Sequence, residues 1–308
     1  MRSVQLQPLF VSLAALIFTS AAFGAHDVAL PSVSSIIQNS VIANTADWKE
    51  QPKYSHRENE IKKKIDSNGQ VKVEQTKTYE VMMIDGSPYY RVVAINNEPL
   101  SRLQQEQEQA KLNREILQRQ NEAKKDRKAR IAKYQNERSE EHLLLQQMVS
   151  AFRFKLAGEE ERNGVACYVL DALPNPDYQP PSEKTKVLTG MQGRLWIDKA
   201  HYHWVRVQAQ VITPVPFGLF IAKVKPGTKF ELDQAPVGDV WLPKRFIENV
   251  NASVLGLYGM RSMEQDEYSN YRQTMLNADN VSLTEPRPGV QGTSASAREA
   301  AVELKADR

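Results

Sequence analysis

From Gly193 to Ile212 the chain alternates two kinds of residue. Leu195, Ile197, Val205, Val207, Ala209 and Val211 hold the odd positions, and Arg194, Asp198, Arg206, Gln208 and Gln210 the even ones. A period of two is the spacing of a strand with one face buried and the other wet. Asp198-Lys199-Ala200-His201 interrupts it, so the stretch predicts two long antiparallel strands joined by a turn. On the same count Trp196 and Trp204 fall opposite the Leu195/Val205 set. They either pack under a second layer, such as a helix, or line a groove.

The same pattern recurs along the chain. Tyr54–Ile65 reads as a strand, and Ser67-Asn68-Gly69 as a tight turn. Val71, Val73, Tyr79, Val81 and Met83 then alternate with charged and polar residues. Asp85-Gly86 turns the chain into a strand over Tyr89–Ile95. Further strands are expected over Ala151–Leu156, Val165–Leu170 (after the Asn163-Gly164 turn), from Phe230, over Lys244–Val250, and as one strand or a pair over Ala252–Tyr271. The proline-rich run Pro174–Pro181 is a loop. Before the first strand, Val33, Ile36, Ile37, Val41 and Ala43 follow helical spacing and predict one amphipathic helix over Pro31–Trp48.

Residues 100–147 differ from the rest. Between Arg102 and Glu141 stand 11 basic and 8 acidic residues, with no Gly or Pro. Such a composition favours helix, yet its apolar residues are too sparse for a continuous buried stripe. A charged helical insertion is expected, projecting as a hairpin or arm. It is either a solvated excursion or a contact surface for anionic lipid or a protein partner. His142–Met148 is more apolar and should dock its end on the body.

Arg2, the apolar run Leu9–Phe23 and the small residues around Ala22-Phe23-Gly24 have the form of a cleaved secretory signal, residues 1–24. Residues 277–308 read as a disordered tail. With 40 basic and 37 acidic residues the net charge is only +3, and no basic patch interleaves with aromatics, which excludes a nucleic-acid reading. The single cysteine, Cys167, forbids an internal disulfide and lies within a strand-like run, where it acts as a small hydrophobe.

Catalytic signatures are absent: there is no Gly-rich phosphate loop, no Gly-x-Ser-x-Gly and no His-Glu-x-x-His. His201 and His203 have a spacing that could hold a metal, but they flank a turn with only Asp198 nearby, so no metal or cofactor is expected. Neither is enzymatic activity. The aromatic residues stand out instead. Trp196, Trp204, Trp241, Phe217, Phe220 and Phe246 are the candidates for lining an apolar ligand cavity, and Phe217–Ile221 for a lid or membrane-touching tip.

The block Gly193-Arg-Leu-Trp-Ile-Asp-Lys199, its following strand and Val240-Trp-Leu-Pro243 resemble the LolA/LolB-like superfamily of outer-membrane lipoprotein-sorting proteins, to which RseB is related. The resemblance spans roughly residues 31–275. It implies a mainly β fold with α elements: a curved antiparallel sheet or half-open β-barrel covered by an N-terminal helix, here with the 100–147 insertion inside a domain over 25–276. It further implies a periplasmic protein binding a lipid acyl chain or lipoprotein, with peripheral membrane contact. The charged insertion departs from the family pattern, and no arginine matches the family's release residue. An envelope protein-interaction or stress-sensing module using residues 100–147 is the alternative.

Overall fold

A computed structural model describes residues 30–66, 68–217, 222–254 and 258–273. The signal segment 1–24, the tail 277–308, Phe220 and most of the expected lid lie outside them. The chain divides into Met1–Pro31 and Ser32–Arg308, and every element described belongs to the second unit.

Helix α1 (Val33–Glu50) starts at Ser32, whose hydroxyl accepts the Ser35 N–H. A short 3-10 turn leads into the meander β1 (Tyr54–Ile65), β2 (Val71–Ile84) and β3 (Ser87–Ile95). The β2–β3 turn is the expected one, with Asp85 and Gly86 both at positive φ (46° and 83°). A further pair, Asn96-Asn97, also at positive φ, adds the two-residue β4 (Glu98–Pro99). Helices α2 (Arg102–Gln120) and α3 (Lys124–Ala151) follow. The remaining strands are β5 (Phe152–Arg162), β6 (Val165–Pro174), β7 (Met191–Asp198), β8 (Trp204–Val211), β9 (Val215–Phe217), β10 (Ala222–Val224), β11 (Lys229–Val237), β12 (Val240–Val254) and β13 (Tyr258–Gln273).

All strand pairs are antiparallel and form one sheet in the order β4-β3-β2-β1-β13-β12-β11-β8-β7-β6-β5, with β10 paired to β12 and β9 paired to β10. The sheet is open: β4 and β5 end the order, and among the described residues they do not pair with each other. The expected mainly β architecture with an N-terminal helix and a helical insertion is what is observed. Cross-strand partners share a face, so one row can be followed across the sheet: Leu156, Leu170, Leu195, Val207, Leu232, Phe246, Asp266, Glu60, Lys77. It begins apolar at β5 and becomes acidic at β13. The main core sits at the apolar end, where Leu170, Leu195 and Ile197 meet Ile36 and Ile37 of α1.

Two features differ from expectation. The buried stripe of α1 runs Ile36, Ile37, Ser40, Asn44, Asp47, so its second half turns a polar side to the sheet. Ser40 and Asn44 satisfy their donors on the carbonyls of Ile37 and Ser40, at 2.9 and 2.7 Å. The helical insertion, expected to project, is docked along much of its length. Leu112 and Ile116 of α2 pack on Ile84. Arg119 donates to the carbonyls of Ile84 (2.5 Å) and Ser87 (3.0 Å), filling the acceptors of the β2–β3 turn. Ile131 of α3 packs against Gly86, and the Arg138 guanidinium lies 4.3 Å from the Trp48 ring centroid. Leu144, Leu145 and Met148 join the main core. The composition misleads because arginine buries its stem while its head pairs with turn carbonyls.

Candidate functional site

The turn between β7 and β8 decides where the tryptophans point. Asp198 is 6% exposed, and its carboxylate oxygens accept the N–H groups of Ala200 (3.0 Å) and His201 (2.8 Å). Tyr202 takes positive φ (65°). The register runs Leu195↔Val207 and Trp196↔Arg206, then Ile197↔Trp204, so Val205 is the extra residue of a β-bulge. Trp204 therefore shares a face with Ile197 and packs with Ile36 and Ile37, its Nε1 donating to Ser40 Oγ at 3.4 Å. Trp196 lies on the opposite face with Cys167, Val169 and Val205. Its Nε1 donates to Glu160 at 2.7 Å and Arg162 covers its ring at 4.6 Å. The two tryptophans expected on one face are on two, because a turn containing a bulge does not transmit parity.

The other candidates are dispersed as well. Trp241 stacks on His203 at 5.6 Å. Phe246 is half-buried beside Asp266. Phe217 ends β9, and its side chain, like Phe220 as a whole, is outside what the structure describes.

Three spaces surround these residues. The first, about 140 Å³, lies between helices and sheet and is bordered by Asp47, His142, Trp204 and Trp241. The second, about 740 Å³, opens at the rim formed by the β5–β6, β7–β8 and β11–β12 turns. There His203 Nδ1 and Asp47 Oδ2 are 2.6 Å apart, while Asp47 Oδ1 accepts the Trp241 N–H at 3.0 Å. Asp47 thus ties α1 to the β7–β8 turn and to β12. The His201 side chain is 76% exposed, with its ring 6.3 Å from that of His203, so the two imidazoles do not converge.

The third space is a trough of about 670 Å³ across the outer face of β5, β6, β7, β8 and β11. Arg194 and Asp171 pair across it at 2.7 Å, and Gln192, Gln208, Gln210, Lys155, Lys229 and Glu231 add donors and acceptors. Gly193 forms part of its floor, where a Cβ would stand 2.7 Å from the Gln208 carbonyl oxygen. Leu173, 54% exposed, supplies an apolar contact. Cys167 is fully buried, and burial pushes its thiol up to about 11, which keeps it protonated and poorly nucleophilic.

No protein-family model matches the chain, and no curated protein matches it by sequence. Among solved structures it is similar to a LolA superfamily protein from Nitrosomonas europaea (10% identity, covering 79% of this chain and 93% of that one, TM-score 0.29). A putative outer-membrane lipoprotein-sorting protein domain from Vibrio parahaemolyticus matches at 9% identity, covering 77% and 92%, with TM-score 0.29. The Pseudomonas aeruginosa MucA/MucB complex matches at 10%, covering 78% and 98%, with TM-score 0.21.

Proposed function

We propose that this chain is an exported, non-catalytic binding protein of the cell envelope that holds a segment of another polypeptide in the outer trough. The observation that carries this reading is the contrast between about 140 Å³ inside and about 670 Å³ outside. Ligand sites typically occupy about 300–1,000 Å³, so the inner gap is small for a stored acyl chain and the trough is not. The trough's glutamines, its Asp171–Arg194 pair and its flanking lysines suit the donors and acceptors of an extended backbone. Export rests on the N-terminal sequence.

A second reading, capture of an acyl chain, draws on Trp241, which borders both the rim hollow and the inner gap. A ligand would enter there by parting the Trp241–His203 stack, with Trp204 and Phe246 further inside.

One experiment separates them. The full chain is made in its own host with a photocrosslinking side chain at Leu173 or, as control, at exposed Ile42 of α1, and bound lipid is measured by mass spectrometry. A polypeptide adduct at position 173, absent at 42 and lost in Arg194→Glu, is expected. Lipid present at one equivalent and lost in Trp241→Ala, without such an adduct, would overturn the first reading and favour the second.

A further inference from the structure

The acidic end of the helix-facing row lies away from every space described above. Glu58 and Glu60 of β1 sit two apart and therefore share a face. Across the strand pair they meet Tyr268 and Asp266 of β13. One carboxylate oxygen from each of Glu58, Glu60 and Asp266 lies within 4.8 Å of the others. These groups are not splayed into solvent: the Glu58 and Glu60 side chains are 13% and 15% exposed and Asp266 is 7% exposed.

Lys62, the ammonium beside them, is bonded to Glu60 at 2.5 Å and Glu264 at 3.3 Å and gives Asp266 nothing. Asp266 Oδ1 is buried and accepts no hydrogen bond among the described residues. A buried carboxylate with one unpartnered oxygen, set within 4.8 Å of two further carboxylates, is costly unless something positive joins them. A proton relieves one charge only. A dication relieves two and takes an oxygen ligand from each of the three carboxylates.

We propose that Glu58, Glu60 and Asp266 bind a hard divalent cation, with calcium the first candidate and magnesium or manganese its competitors. The donor set is all oxygen, which suits these ions rather than zinc or copper. Three protein ligands leave room for water, as expected of a site open on the Lys62 side, where that side chain is 47% exposed. The ion joins β1 to β13, the pairing that closes the N-terminal meander onto the C-terminal strands. Binding there is independent of what occupies the trough.

The test uses the full chain stripped with chelator and titrated with calcium, magnesium and manganese chlorides at pH 7.5 by calorimetry, alongside thermal melting. One equivalent should bind in the micromolar to millimolar range, at about 1 mM or below, and raise Tm. Asp266→Asn should bind about tenfold more weakly or not at all. Its metal-free Tm should be no lower than that of the parent, since the substitution removes an unfavourable buried charge. Glu58→Gln gives the same readout if Asp266→Asn fails to fold. No saturable binding of any of the three ions, or binding unchanged in both variants, would overturn the proposal.

Discussion

Single residues carry much of what distinguishes this sheet. Trp204 is 5% exposed in the main core. Trp204→Ala should cost about 3–5 kcal/mol, measured by urea unfolding. Gly193→Ala drives a Cβ into a backbone oxygen that cannot rotate away, and about 1–3 kcal/mol of overpacking is expected. His142 stacks on Trp48 at 4.2 Å, and burial, with Arg138 and Lys49 nearby, holds its imidazole below the usual value. The folded state therefore binds fewer protons than the unfolded state just below that value. Its contribution is present at neutral pH and is lost as pH falls below about 6.5. His142→Asn should flatten the decline of Tm between about pH 6.5 and pH 5; an unchanged slope would place the pH dependence elsewhere. In the sequence, His142 opens the more apolar segment expected to dock, but nothing there pairs its ring with Trp48. Its burial depends on Trp48, which lies far along the chain.

At the scale of elements, the insertion is the largest departure from what composition suggests. Residues 100–147 read as a solvated arm because their apolar positions are few. In the fold, α2 and α3 cover the β2–β3 turn and complete the core beside β5. Deleting residues 102–147 should therefore abolish cooperative thermal unfolding rather than remove one contact surface selectively. A deletion variant that melts like the parent would overturn this. Arg119→Leu leaves the Ile84 and Ser87 carbonyls without their donor and should cost about 3 kcal/mol. Strands were more legible than helices because a strand's period is two, and turn pairs such as Asp85-Gly86 and Asn163-Gly164 punctuate them. Helix α1 was legible as a helix but not as to what it faces, since its Ser40 and Asp47 are paid for by partners on β8, the β7–β8 turn and β12.

At the scale of the whole sheet, β13 lies between β1 and β12, so the last described strand joins the first strands to the rest. Truncation after residue 257 removes a central strand, not an edge. The product should lose protease resistance across both halves of the sheet, whereas trimming the tail beyond residue 276 should leave it intact. Pairings so distant in sequence also predict slow folding for the size.

The sequence by itself determined most of the long strands and their turns, the helical character of residues 31–48 and 100–147, and the absence of the common catalytic motifs. Each of these is set by local periodicity, turn chemistry or composition. Only the tertiary structure decided that Trp196 and Trp204 part company, that the charged helices are docked, and that Glu58 and Glu60 stand against Asp266. The physical reason is the same in all three. A bulge, a buried arginine and a cross-strand register each depend on partners across a turn or further, from ten residues away (Trp196 and Arg206) to more than two hundred (Glu60 and Asp266), and periodicity carries no information across a turn.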